Sequence, residues 1–543
     1  MQKKAAESLQ SASTTEFWKQ IKNIDNHVVK RPCRVDDAKT EEDICELWRN
    51  KYATLLNSVD SEEARNTLHE SLRNTHHDPV QFVTPEEVCI GAESLSNNKS
   101  MGLDGIPSEV YKYAPFALHA WIAALFNECF KHCHIPSRMT EVFIIPIVKS
   151  NQKSPMDSTN YRPIAISPSI SKIFEDILLT RLHDFIQCSH HQFGFKKQNS
   201  TETCIFAMRE VINYYKQLNS NVFICFIDIK GAFDRVNYMK LFCKMLQRGV
   251  PAYLILLLEN WYTEQKLFVK WNNSMSQSFG MKNAIRQGSK LSPYLFNVYI
   301  DELNEALCNS KVGCHIAGKA ANNFGYADDL ALAAPSAKAL NTLLEICDNF
   351  AARNDIVYST AKSVCMMVPA GTRATFEPPD IHLSGSTLQY VTKFKYLGHI
   401  ITNTMKDDED IMREIRSLNA RGNVIIRKFG VLSLEVKCQL FKTYCYPLYT
   451  CALWSNYNQG TLNRLKVAYN NIMRRLAHVP PWSSASHMFG SLGVRSFQET
   501  LRNCSYSLMR RIDQCPNNFI QVLSSSDASR LSRHRNRWIS NLF

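Results

Sequence analysis

Two apolar runs that end on carboxylates constrain this chain more than any other feature. VFICFI, at 222–227, is six apolar residues in succession and delivers one acid, Asp228. Such a run predicts a buried strand, and a carboxylate at its end is costly unless an opposite charge offsets it, usually a divalent cation. FGYADDLALAA, at 324–334, is a second strand signal whose pattern breaks at two adjacent acids, Asp328 and Asp329. Neighbouring side chains on a strand point to opposite faces, so both acids are comfortable only at a hairpin tip. If Asp228 ends a neighbouring strand, its carboxylate and that of Asp328 converge. They could then hold two hard cations about 4 Å apart, the geometry of in-line phosphoryl displacement. Each motif alone also has a plainer reading: Asp228 caps a helix beginning at Lys230, and Asp328 with Asp329 is an ordinary turn. Their combination with the flanking motifs argues against it.

Composition narrows the classes. A chain of 543 residues can hold several domains and a sizeable core, and 45% hydrophobic with 21% charged residues is ordinary for a soluble globular protein. No run approaches the ~18–20 apolar residues of a membrane span, so no membrane partner is expected. Residues 1–10, with Lys3, Lys4 and Glu7, lack the apolar core of a secretory signal. Lysine and arginine outnumber aspartate and glutamate by 63 to 50, a net charge of +13 that suits a polyanionic partner, nucleic acid first. The 18 cysteines are scattered without any Cys-x-x-Cys, and several, such as Cys225, sit in apolar runs. The expected location is therefore reducing, nuclear or cytoplasmic. The cluster Cys129, His132, Cys133 and His134 reads as a helix end rather than a zinc site, because no second ligand pair lies nearby.

Along the chain, residues 1–90 have apolar positions at helix spacing and predict a helical connector without chemistry. NNKSMGLDGIPSEV is a glycine-bearing turn after which Pro107 opens a helix over SEVYKYAPFALHAWIAALFNECF. FIIPIVK, the polar loop NQKSPMDSTN and YRPIAIS predict a strand pair with a basic tip, shaped to reach over phosphates. The middle third interleaves strands with helices, which implies an α+β layer with helices on one face of a sheet. After KFKYLGHIIT the pattern is all helical, and RLSRHRNRW reads as a short basic tail.

FIDIKGAFDRVNY, AIRQGSKLSPYLFNVYID, FGYADDLALAAPS and KFKYLGHII stand in an order and spacing that resemble the reverse transcriptases of non-LTR (LINE-like) retrotransposons. The resemblance begins at KSMGLDGIPSEVYKY, continues through IPIVK, NYRPIAISPSISKIFE and HHQFGFKKQNSTE, and reaches YCYPLYTCALW. It implies an α+β right-hand polymerase: fingers and palm over 91–401 (core about 130–401), with an antiparallel sheet and a DD hairpin. A helical thumb over 402–500 and a basic C-terminal extension over 501–543 complete it. The implied activity is RNA-directed DNA polymerisation, with dNTPs added to a primer 3′-OH on an RNA template.

The resemblance also implies roles. Asp228, Asp328 and Asp329 form the catalytic triad, with Asp228 and Asp328 holding two Mg²⁺ (Mn²⁺ as a substitute) and the carbonyl of Ile229 as a further ligand. Lys149 and Arg162 grip the triphosphate, and Phe233 packs under the sugar and excludes a 2′-OH. Gln287 and Gly288 contact the incoming nucleotide and template, and Lys362 protonates pyrophosphate. Tyr326 lies along the primer end, and Tyr396, Leu397 and Gly398 form a hairpin that grips the primer. Three of these have a plainer alternative, a core ring for Phe233 and a solvated lysine for Lys149 and Lys362.

Three positions depart from the pattern: Met101 where many relatives have proline, Ala284 where glycine is frequent, and Ser289 at a variable site. None touches the carboxylates. The competing reading is a catalytically inactive, retrotransposon-derived nucleic-acid-binding protein, which would keep the basic surfaces but has no need of an intact triad. A nuclease or phosphohydrolase lacks a histidine or other general base near the acids. GCHIAGKA, at 313–320, imitates a phosphate-binding loop but ends on Ala320, without the hydroxyl that holds Mg²⁺. With no knuckle, ribonuclease H or endonuclease segment in sight, the chain is expected to be a piece of a longer reading frame, with any endonuclease supplied by another part of the element.

Overall fold

The computed structural model describes residues 14–25, 31–75, 78–150, 152–371, 378–525 and 533–542. The N-terminal residues 1–10, Asn151 of the polar loop and the start of the basic segment at 530–532 lie outside them.

The run at 222–227 is the middle strand of a five-stranded sheet, ordered Gln389–Tyr390, Val364–Val368, Val222–Asp228, Asp329–Ala334, Asn323–Tyr326. The middle strand is antiparallel to both neighbours, with Ile224 opposite Met366 on one side and Ala333 on the other. Phe223, Cys225 and Ile227 enter one core, while Val222, Ile224 and Phe226 enter a second. All six positions are apolar because both faces are covered, which also corrects the expectation of helices on one face only. Helix Ala337–Arg353 packs on the first face and helix Thr201–Gln217 on the second.

A separate four-stranded sheet is ordered Tyr161–Ile166, Glu141–Val148, Lys266–Trp271, Ser274–Met275. Its first two strands are the antiparallel pair expected around the basic tip. Helix Glu41–Leu55 backs this sheet: Trp48 lies between Tyr161 and Trp271, at ring separations of 4.9 and 6.2 Å.

Two long helices predicted from periodicity are cut by prolines. The first becomes Ser108–Lys112 and Phe116–His132, with Pro115 as the N-cap of the second, because proline cannot carry the preceding turn onward. The second, the apolar-striped stretch SLEVKCQLFKTYCYPLYTCALW of the all-helical region, stops at Cys445, two residues before Pro447. Cys133 ends helix Phe116–His132 in the left-handed conformation (φ +48°), and His132 Nε2 lies 3.1 Å from Glu128 Oε2, so this cluster is a helix end.

Helices Asp408–Phe429, Leu434–Cys445 and Gln459–Ala477 build a third core around Leu418, Phe441 and Tyr469, and Phe17 and Ile21 of helix Thr14–Asp25 join it. The C-terminal stretch is not a free tail. Helices Phe497–Asp513, Asn518–Ser525 and Arg533–Leu542 close the second face of the central sheet with Leu508, Phe519 and Trp538. Among the described residues no helix is long and apolar enough to cross a membrane.

Candidate active site

Two strands converge on the acids. Asp228 ends the middle strand directly opposite Asp329, and Asp328 stands beside it in the two-residue turn Ala327, Asp328 of the hairpin. Paired antiparallel residues have Cα atoms roughly 4.5–5.5 Å apart, so three carboxylates share one end of the sheet. No helix starts at Lys230: the chain turns away, the Lys230 N–H donates to Val357 O at 2.8 Å, and the next helix begins at Tyr238. The helix-cap reading of Asp228 therefore falls. The Asp228 backbone is pinned on both sides, its N–H donating to Ser363 Oγ (3.1 Å) and its carbonyl accepting from Ser359 N–H (2.8 Å).

The cluster is short of positive charge. Burial, reinforced by the charges of Asp328 and Asp228, pushes Asp329 up to about 6, and burial with the Asp228 charge raises Asp328 as well. Asp328 and Asp329 still reach solvent, so these shifts, from burial first and like charge second, do not translate into stored folding energy. Lys362 Nζ, 3.3 Å from Asp228 Oδ2, is the cation in direct contact. Three hard oxygen donors with too little counter-charge suit Mg²⁺ or Mn²⁺. Among the described residues no group of three or more His, Cys, Asp or Glu side chains is already arranged to hold a metal ion.

The strand pair of the smaller sheet brings its bases near the acids. Arg162 stands opposite Ile147, with its charge lowering the pKa of Asp328, and Lys149 follows at the strand end, its N–H donating to Asn160 O at 2.7 Å. Burial lowers the Lys149 pKa, and the neighbouring charges of Arg162, Lys362 and Lys51 lower it further. Phe233 lies half-buried, stacked on Phe296 at 4.9 Å and 12°. Gln287 donates from Nε2 to Asp234 Oδ1 (2.8 Å), and its carbonyl accepts from Ala165 N–H (2.7 Å), which ties its loop to strand Tyr161–Ile166. Gly288 has φ +116°, and a Cβ there would stand 2.7 Å from Ala165 O. No residue with a side chain fits that approach.

One expectation changes. The Tyr396 ring is buried and its hydroxyl donates to Phe324 O (3.0 Å), so the side chain braces the hairpin from beneath and does not face a primer. Leu397 (φ +47°) and Gly398 (φ +86°) form the turn of a hairpin that packs below the sheet through Phe394 on Phe226. The carbonyl of Ile229 lies next to the bridge formed with Tyr358, and Tyr326 is half-buried opposite Asp329.

Sequence reasoning missed three groups. Asp234, whose carboxyl burial pushes up, holds Gln287; its signal was an acid directly after Phe233 in FIDIKGAFDRVNY. Glu175 accepts from Arg286 Nη2, Ser289 Oγ and Lys290 N–H, each at 2.8 Å, and so fixes the whole 286–290 loop. Lys51 of the connector donates to Ser158 Oγ (2.6 Å) beside the basic tip, and no local pattern marked it.

Residues 148–401 match the family described as reverse transcriptase (RNA-dependent DNA polymerase), a span that contains the whole triad and both tip bases. That span is a reverse transcriptase domain. The curated relatives of this reverse transcriptase domain are RNA-directed DNA polymerases of mobile elements, jockey and X-element among them, in keeping with the resemblance. The chain is 25% identical over 480 residues to the RNA-directed DNA polymerase from mobile element jockey of Drosophila funebris, which covers 84% of this chain and 51% of that one. It is 24% identical over 565 residues to the probable RNA-directed DNA polymerase from transposon X-element of Drosophila melanogaster, covering 98% of this chain and 58% of that one. The chain thus spans about half the length of the curated relatives it matches. A solved telomerase from Candida tropicalis overlaps at TM-score 0.37 and 11% identity, over 75% of this chain and 68% of that one, too loosely to bear on function.

Proposed function

We propose that the chain is an RNA-directed DNA polymerase of retrotransposon origin, extending a primer 3′-OH with dNTPs on an RNA template. The observation that carries this reading is the convergence of Asp228, Asp328 and Asp329 at one end of the central sheet, with Arg162 of the smaller sheet near enough for its charge to lower the pKa of Asp328. On this reading the five-stranded sheet is the palm, the four-stranded sheet the fingers and the three-helix bundle the thumb. Asp228, Asp328 and Asp329 are the residues that would hold two Mg²⁺. Bound there, divalent ions supply neutralisation of phosphate charge and a lowered pKa for the primer hydroxyl.

The chain's own groups do the rest. Arg162 offers its two-pronged guanidinium to the triphosphate and Lys149 a point charge beside it. Phe233, braced by Phe296, sets the floor under the sugar. Asp234 fixes Gln287 against the base, and Lys362 Nζ is the proton donor nearest the acids for a departing pyrophosphate. The net charge of +13 favours a template–primer duplex in the groove between palm and thumb.

The test is primer extension on poly(rA)/oligo(dT) with Mg²⁺ or Mn²⁺, with Asp328→Asn/Asp329→Asn made alongside. Extension by the parent chain and none by the double variant is the expected result. Duplex binding without extension by the parent chain would establish the inactive binding protein instead.

A further inference from the structure

The acids depend on a turn that an L-residue resists. Ala327, the first residue of the Ala327, Asp328 turn, has φ +56°, a conformation that costs an alanine free energy and that glycine takes readily. Yet the position is not glycine, so something outside the hairpin holds it.

That something lies in the segment HHQFGF, a block to which the chemistry above assigns nothing. Gln192 is 1% exposed. Its Oε1 accepts from the Ala327 N–H and from the Gly194 N–H, each at 2.8 Å, and its Nε2 donates to Ala327 O at 3.3 Å. One side-chain amide therefore grips both backbone polar groups of the strained residue. The surroundings hold the grip in place. Gly325 N–H donates to His191 O (2.9 Å), Phe193 N–H donates to Gly325 O (2.7 Å), and Asn297 Nδ2 donates to Gly194 O (2.9 Å). The contact is so close that a Cβ on Gly194 would stand 2.4 Å from Ala327 N. Strand Asn323–Tyr326 is a sheet edge, and this segment covers it.

We infer that Gln192 is a positioning residue for the catalytic hairpin: it holds Ala327 in the left-handed turn and thereby sets where Asp328 stands relative to Asp228. It touches no substrate and no reacting atom. The inference rests on the polymerase reading for its kinetic consequence, though not for its structural one.

The test compares the full-length parent, Gln192→Ala, Ala327→Gly and the double variant. Gln192→Ala strips the turn of its clamp, so kcat for primer extension should fall on the order of 10- to 100-fold while the KM for dNTP stays within about twofold, because the acids move and the triphosphate grip does not. The Mn²⁺ concentration giving half-maximal activity should rise, and the amides of 325–329 should exchange with deuterium faster than in the parent. The decisive arm is the double variant: glycine adopts φ +56° unaided, so Ala327→Gly should restore a good part of the kcat lost in Gln192→Ala. Unchanged hairpin exchange and unchanged kcat in Gln192→Ala overturn the inference. So does an equal loss in single and double variants together with a collapsed melting temperature, which would make Gln192 merely structural. If the parent itself extends no primer, the polymerase reading fails, and the exchange rates still judge the clamp.

Discussion

Phe233 shows what a residue can and cannot say alone. Its ring lies flat on Phe296 and is half-buried, so it is a packing group and, on the proposed reading, also the floor of the sugar site. Phe233→Val removes the floor at the cost of one ring pair, worth about 1 kcal/mol. The expected outcome is rNTP incorporation raised by about 10- to 100-fold relative to dNTP, measured in single-nucleotide extension. Unchanged sugar selectivity would leave the ring a packing residue only. The three acids were legible as sequence because an apolar run that ends on a charge fits few places besides a strand end beside a counter-ion. Glu175 was not, and Asp234 only faintly, since an acid after a phenylalanine looks the same whether it faces water or holds a loop. Tyr396 misled for the opposite reason: a ring beside a turn reads as a surface contact until the hydroxyl is found bonded to Phe324 O.

Elements followed their sequence signals where one local cause dominated. Val222–Asp228 was legible because six apolar residues leave no exposed face, but which helices covered each face depended on chain returns from distant parts of the sequence. The helix over SEVYKY and beyond was legible in kind and wrong in extent, because periodicity continues through Pro115 while the backbone does not. The edge of the hairpin adds a pH response. His191 lies between the edge strand and helix Asn518–Ser525, with Nδ1 2.9 Å from Asn323 O and its ring 4.6 Å from Phe519. Burial, aided by the charges of His190 and Lys196 and opposed by the Asn323 carbonyl, pushes its pKa down to about 4. The unfolded chain takes up that proton near pH 6.5, so it binds more protons than the folded one between about 6.5 and 4. The stability His191 contributes is therefore whole above pH 6.5 and lost as pH falls towards 4, about 3 kcal/mol in all. His191→Gln should flatten the urea midpoint across that window; an unaltered slope would mean that the ring titrates as it does in water.

At the scale of the whole molecule the first and last described helices are structural members. Helix Thr14–Asp25 packs into the three-helix bundle, helix Glu41–Leu55 backs the smaller sheet, and the last described helix seals the central one. None of this is readable in the sequence, because a short amphipathic helix does not say which of several apolar surfaces it will cover. Trp538 anchors the C-terminal seal: its Nε1 donates to Ala452 O (2.7 Å), its ring stacks on Phe206 at 5.6 Å, and 2% of its surface is exposed. Beside it His534, fully enclosed, sets its two ring nitrogens on Glu210 and on Leu453 O. Phe206 and Glu210 both belong to helix Thr201–Gln217, which lies on the same sheet that carries Asp228. Loss of the Trp538 ring should therefore be felt by the sheet and not only by its own helix. Trp538→Ala is expected to destabilise the chain by about 3–5 kcal/mol, the usual cost of emptying an indole site. Followed by far-ultraviolet circular dichroism and by deuterium exchange at 222–228, the loss should appear as one shifted transition with faster exchange in the middle strand. Faster exchange confined to 533–542, with 222–228 protected as before, would mean that the C-terminal helix rests on the sheet without supporting it.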